Sequence, residues 1–377
     1  MTATQNPSAG CAFLVRNSSA QDELFRGAFE ILHNAIPAGA FPGCSLAVTL
    51  NGELVAHHAL GRFSYDATAP AVTTGSIFDL ASVTKAIATT TMAMILYERG
   101  ILDLEAPVAA ILPEFSMDDP RRRDVSMRML LSHSSGLPAY EKLFLRTKNR
   151  EELLRAALTT ALTADPGTRA EYSDLGFIIL GVALERLADE AIVTFCQREI
   201  FGPLAMSNTT FNPAKSLHDK IVPTADERMK FRGRIIHGEV QDENASVLGG
   251  GAGHAGLFST AEDVAIFAHA MLSGGRPILR PETVDMFTRR EATPAGTSRA
   301  LGWDTPSSPS QSGKYFGLHS YGHLGYTGTS LWIDPDRQLS ITLLTNRTWP
   351  DCQNQAIKQV RPAFYDAVIE ALKDRRQ

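Results

Sequence analysis

A serine and a lysine three residues apart, Ser82 and Lys85, open a stretch that is apolar or small almost all the way round as far as Tyr97. It reads Ser82-Val83-Thr84-Lys85-Ala86-Ile87-Ala88, then three threonines, Met92, Met94, Ile95 and Leu96, and stops at Gly100. A helix without a polar face is buried, and glycine just past its end is a common stop. Residues three apart share a helix face, so hydroxyl and amine meet one turn apart near the helix N-terminus. That pairing can make a nucleophile: the amine accepts a proton, and helix-end N–H groups hold an oxyanion. Burial disfavours the ammonium, so Lys85 is expected to have a lowered pKa and to be neutral, or to share a proton, near pH 7. Of nine lysines, Lys85 alone has a serine three positions before it. In the competing reading Ser82 is an ordinary N-cap and Lys85 reaches for the surface, so further residues must decide.

A nucleophile of this kind needs a second proton-handling group and an oxyanion clamp. Tyr172-Ser173-Asp174 follows the turn Asp165-Pro166-Gly167 and precedes a helical pattern from Leu175, so a phenol and a carboxylate two residues apart can face one cleft. Two segments offer a basic residue beside a glycine near the site, His254-Ala255-Gly256 and His323-Leu324-Gly325. The second lies in a glycine-rich strand, Gly322 to Thr329, where backbone N–H groups can be open to a ligand.

These residues need elements to carry them. Gln21 to Ile36 has helical periodicity, and Cys44 to Leu50 and Glu53 to Leu60 flank Asn51-Gly52, a strong hairpin signal. From Ile101 to about Gln241 the text is mainly helical, with Glu151 to Leu162, Leu175 to Ala188 and Ala191 to Phe201. Strand patterns return at Gly253 to Ser259, Thr329 to Asp334 and Gln338 to Thr345. Thr260-Ala261-Glu262-Asp263 reads as a capping box, and a last helix, about Arg361 to Asp374, has Pro362 in its first turn. The expectation is an α/β lobe from residues 20–100 and 242–377, a mainly helical insertion lobe over 101–241, and an N-terminal extension over 1–19.

Composition is that of a globular chain: 377 residues, 44% hydrophobic, 20% charged, net charge −5. Without basic runs, nucleic acid is not an expected partner. The four cysteines are scattered, without a metal or disulfide pattern, so no metal and no cofactor are expected. No signal-peptide pattern and no membrane-length apolar run is evident, which makes the cytoplasm the expected compartment and a membrane partner unexpected.

Taken in order, Ser82-Val83-Thr84-Lys85, Tyr172-Ser173-Asp174 and His323-Leu324-Gly325 resemble the three motifs of the penicillin-binding protein and class C β-lactamase superfamily of serine hydrolases, which includes family VIII carboxylesterases, D-aminopeptidases and D-alanyl-D-alanine carboxypeptidases. The likeness extends through Leu130-Leu131-Ser132-His133-Ser134-Ser135-Gly136-Leu137, Pro203-Leu204-Ala205-Met206 and Ala255-Gly256-Leu257-Phe258-Ser259-Thr260. It implies a three-layer α/β/α sandwich with an antiparallel sheet and a helical insertion. It also implies that Ser82 is acylated, Lys85 accepts or relays its proton, and Tyr172 is a general base. The N–H groups of Ser82 and Tyr326 would form the oxyanion hole, with Asp174, His323, Leu324 and Gly325 binding substrate. His254 and His133 are then expected to be structural.

The departures bear on substrate. Asp174 stands where class C β-lactamases have asparagine, and His323-Leu324 where they have Lys-Thr. A fixed cation becomes a titratable imidazole, and a carboxylate at 174 either repels an anionic substrate or pairs with Lys85. A carboxylesterase on small to medium neutral esters is therefore the leading expectation. A D-amino-acid peptidase or D-alanyl-D-alanine carboxypeptidase on muropeptides, with weak β-lactamase activity, comes second. An acylated sensor that does not turn over comes third.

Overall fold

The structure is a computed structural model that describes residues 20–116, 119–308 and 310–374; the extension expected over 1–19 lies outside them. Its centre is a five-stranded antiparallel sheet built from both ends of the chain. In spatial order the strands are Glu53–Gly61, Gly43–Leu50, Leu339–Thr345, Ser330–Asp334 and Tyr321–Leu324. The first two are joined at Asn51 and Gly52, both at positive φ (51° and 83°), the geometry that suits the right-handed twist of a hairpin.

The sheet is covered on both faces, and its inner strands carry apolar residues on both sides. Leu46, Val48, Trp332, Ile341 and Leu343 face a layer made by helices Arg26–Ala35 and Ile357–Asp374, through Phe29, Leu32, Phe364 and Val368. Ala47, Leu331, Ile333 and Leu344 face the other layer, where helix Ala261–Leu272 contributes Val264 and Phe267. The result is a three-layer α/β/α sandwich. Thr260 caps its helix by accepting from the Asp263 N–H at 3.2 Å.

Several elements depart from the expected bounds. The strand expected over Gly253 to Ser259 is confined to Leu257–Ser259 and pairs outside the main sheet, with Phe78–Asp79 and Thr210–Phe211. Its first half is taken by a crossing: a Cβ on Gly253 would lie 2.2 Å from the Phe177 carbonyl oxygen and 2.9 Å from Gly181 Cα. The helix Asp174–Ala188 thus rides directly on backbone there, and only glycine permits the approach. The C-terminal helix begins at Ile357, so Pro362 lies inside it. Proline removes the N–H that would serve the Lys358 carbonyl, and the Gln311 side chain donates to that oxygen instead, at 3.3 Å. Among the described residues no helix is long and apolar enough to cross a membrane.

Candidate active site

Ser82 is delivered by a strained turn. Strand Phe78–Asp79 runs into Ala81, a non-glycine residue at φ 47°, a conformation held only when its surroundings over-determine it. Asp79 does so: its buried carboxylate accepts from the Ala81 N–H at 2.8 Å and the Gln241 N–H at 2.6 Å. Burial pushes that carboxyl up to about 6, against the pull of the two N–H groups. The α-helix expected from Ser82 onward is not formed as such. Lys85–Thr90 is π-helical, and the α-helix proper is Thr91–Glu98. Two hydroxyls find backbone acceptors along it: Thr91 donates to the Ala86 carbonyl at 3.1 Å and Thr89 to the Gly253 carbonyl at 2.6 Å. Widened turns of this kind recur at functional sites.

Lys85 is fully buried beneath Ser82 and donates to three acceptors: Ser82 Oγ at 3.0 Å, Asp174 Oδ1 at 2.7 Å and the His254 carbonyl at 2.9 Å. Three acceptors match the three protons of an ammonium. Burial alone pushes its pKa down, as expected from the apolar helix, but Asp174 and then Tyr172 more than offset it and hold the group above its ordinary value. The lowered pKa expected from burial is therefore corrected: the shift is upward and favours the ammonium. Of the two roles expected for Asp174, the structure shows the pairing with Lys85.

Tyr172 OH donates to Ser82 Oγ at 2.7 Å, and its pKa is pushed up to about 12, by burial first and by Asp174 second. Its place is set by neighbours on both sides. Ser173 caps the helix Asp174–Ala188, accepting from the Gly176 N–H at 3.0 Å and donating to the Pro138 carbonyl at 2.7 Å. His133, buried at φ 57°, accepts from the Ser173 N–H at 3.0 Å. Its ring lies between those of Tyr172 and Phe177, with centroids 4.7 and 5.0 Å away. Burial, with Arg299 and Lys85 adding to it, keeps His133 neutral.

The facing wall is the end of strand Tyr321–Leu324 and the turn after it. His323 is buried and held down to about 3, by burial first and then by Lys85 and Arg299, so the titratable imidazole expected there is a neutral ring. Its Nδ1 lies 2.9 Å from the Leu324 carbonyl, which makes that nitrogen the donor and leaves Nε2 an acceptor. At Gly325 a Cβ would lie 2.5 Å from the Leu80 carbonyl oxygen, so the turn approaches the nucleophile's strand backbone to backbone. Thr327 and Thr329 tie the two together, donating to the carbonyls of Asp79 and Leu80 at 2.8 Å each. Among the described residues the N–H groups of Ser82 and Tyr326 donate to no other residue.

Ser82, Tyr172, Asp174, His323, Leu324, Gly325 and Tyr326 meet at one cleft of about 910 Å³, with Lys85 just beneath its floor. His254 lines it too, its Nε2 2.8 Å from Asp242, while its carbonyl holds Lys85. Sequence reasoning missed Arg299, whose guanidinium lies 5.4 Å over the Tyr172 ring and 3.6 Å from Asp304. It sits in an irregular loop with no motif around it, so no local signal marked it. Among the described residues no group of three His, Cys, Asp or Glu side chains is placed to hold a metal ion.

A hydroxyl contacted by an amine and a phenol, near two unclaimed backbone N–H groups, is the arrangement that acyl transfer requires. The chain belongs to the β-lactamase family of serine hydrolases: that family's sequence model matches residues 22–361. It is 33% identical over 355 residues to a Bacillus subtilis protein named N-acetylmuramyl-L-alanine amidase, covering 84% of this chain and 80% of that one. It is 30% identical over 343 residues to an Escherichia coli protein named putative D-alanyl-D-alanine carboxypeptidase, covering 81% and 79%. Its fold is similar to that of EstCE1, a hydrolase with promiscuous acyltransferase activity, with a TM-score of 0.75 at 21% identity over 93% of this chain and all of that one.

Asp174 raises the pKa of both Lys85 and Tyr172. Removing its charge in Asp174→Asn should therefore move the alkaline rise of kcat/KM to lower pH, by about one pH unit or more. A rise that stays in place or moves to higher pH would contradict the ion pair's role.

Proposed function

We propose that the chain hydrolyses amide bonds in carboxylate-bearing peptide fragments of the muropeptide class, through an acyl-enzyme on Ser82. The observation that carries this reading is Arg299. Its guanidinium stands on the cleft wall over Tyr172, with a long ion pair to Asp304. A guanidinium offers a carboxylate two parallel donors, so the cation missing at 323 has a substitute on another loop. The relatives' names support the same class, and a cleft of about 910 Å³ suits a substrate larger than a short ester.

In this reading the competent form carries Tyr172 as phenolate beside the Lys85 ammonium. Ser82 Oγ attacks the amide carbon and its proton passes to Tyr172. The N–H groups of Ser82 and Tyr326 hold the oxyanion, and Tyr172 then gives the proton to the departing amine. Water repeats the sequence on the acyl-enzyme, losing its proton to Tyr172 and returning Ser82 as a hydroxyl. Lys85 holds the phenolate and Asp174 holds Lys85, while Leu324, Gly325 and the neutral His323 shape the acyl side of the cleft. Hydrolysis of neutral esters remains the second reading. It is favoured by the absence of charge on His323 and Leu324 and by an alkoxide's ease of departure.

Ser82→Ala should abolish turnover and labelling by a fluorophosphonate probe, and labelling that persists would reject the assignment. Arg299→Gln should raise KM about tenfold or more for N-acetylmuramyl-L-alanyl or D-alanyl-D-alanine peptides, as expected for a charge-assisted contact of about 1.5–3 kcal/mol. p-Nitrophenyl acetate turnover should stay within about twofold. If Arg299→Gln leaves the peptides unaffected while esters are the better substrates, the ester reading replaces this one.

A further inference from the structure

The C-terminal helix Ile357–Asp374 packs an apolar face on the sheet through Phe364, Tyr365 and Val368, yet it also buries an arginine, Arg361, only 5% exposed. A buried guanidinium is normally paired with a carboxylate. Among the described residues Arg361 makes no ion pair; its hydrogen bonds go to backbone carbonyls of one short turn. Nη2 donates to Gly325 O at 2.7 Å and Thr329 O at 2.8 Å, and Nε to Gly328 O at 3.3 Å. Arg347 takes the carbonyl between them: its Nε donates to Tyr326 O at 2.6 Å, its guanidinium lies 4.6 Å over the Tyr326 ring, and its own N–H donates to Thr327 O at 2.9 Å. Every carbonyl from 325 to 329 is thus engaged, while the Tyr326 N–H is left unclaimed beside the cleft.

Gly325 O and the Tyr326 N–H belong to the same peptide unit. A charge-assisted hydrogen bond to the oxygen draws electron density from the nitrogen side and strengthens the N–H as a donor. Together with the Gly328 N–H, which donates to the same oxygen at 3.1 Å, it fixes the plane of the peptide, so the donor is aimed before negative charge develops. Burial, against the opposing pull of Tyr365 and with a smaller push from Arg347, holds the Arg361 guanidinium down to about 10, which leaves it charged at neutral pH.

We propose that Arg361 is a positioning residue for the oxyanion site, aiming and polarising the Tyr326 N–H through the Gly325 carbonyl. The inference rests on the reading that this N–H is one of the two oxyanion donors.

The test uses p-nitrophenyl acetate as substrate and phenylboronic acid as a tetrahedral analogue, with kcat expressed per Ser82 titrated by fluorophosphonate. Arg361→Met should lower kcat by about 10- to 100-fold with KM within about threefold, somewhat less than the loss of a whole oxyanion donor. Phenylboronate binding should weaken by the same factor. Arg361→Lys should recover part of the loss, since one ammonium can reach Gly325 O but cannot span all three carbonyls. Arg122 is another buried arginine, bonded to the carbonyls of Phe115, Leu158 and Thr160 away from the cleft. Arg122→Met should lower thermal stability and leave kcat per titrated site unchanged.

If Arg361→Met behaves like Arg122→Met, the proposal is overturned and Arg361 is structural only. If the Met variant does not fold, the amide resonance of 15N-labelled Tyr326 in wild type and Arg361→Lys decides. Boronate binding should move it downfield in wild type and less in the lysine variant. Equal shifts in the two proteins overturn the role of Arg361 alone. No shift in wild type overturns the reading of Tyr326 itself, and the proposal with it.

Discussion

The ion pair between Lys85 and Asp174 organises the site. A fully buried ammonium is tolerated only where its charge is met and its protons are used, and here a carboxylate, a hydroxyl and a carbonyl meet all three. Each acceptor comes from a different part of the chain. Ser82 follows the strained turn at Ala81, Asp174 opens a long helix, and the His254 carbonyl follows the glycine on which that helix rides. The nucleophile's helix, the helix that Asp174 opens and the chain passing through His254 therefore meet at one charge. Removing a single partner of such a pair typically costs about 3–5 kcal/mol, because it strands the other charge.

The opposite wall relies on a second kind of constraint. Among the described residues no carboxylate holds it; the turn from Gly325 to Thr329 is held by arginines on its carbonyls and by threonines that tie it to Asp79 and Leu80. The two unclaimed N–H groups lie on backbone tied together on both sides of the cleft. Lys85 lies beneath the cleft, and Arg299 and Arg361 are among its lining residues, so cations stand close to where negative charge develops. Burial first, and then Lys85 and Arg299, keep His323 and His133 neutral.

Much of this was legible in the text of the chain because it is local. Asn51-Gly52 specifies a hairpin by its need for positive φ, Thr260 caps a helix three residues ahead of Asp263, and Ser82 and Lys85 meet within one turn. What was not legible depends on partners far away in sequence. On its apolar helix Lys85 reads as an amine of lowered pKa, and whether Asp174, 89 residues on, repels substrate or pairs with it stays open until the fold brings the two to 2.7 Å. The strand at Gly253 is cut short by a crossing with Gly181, the start of the last helix is masked by a proline whose lost bond is covered by Gln311, and Arg299 carries no motif at all.

The charge on Lys85 can be observed directly, by 15N NMR of the protein labelled at lysine Nζ and titrated through neutral pH, with Lys85 assigned by substitution. The account predicts an ammonium resonance at pH 7 that persists well into the alkaline range, because Asp174 and Tyr172 hold the proton on. A neutral amine resonance at pH 7 would contradict it, and would make Lys85 the free base that the apolar helix alone suggests.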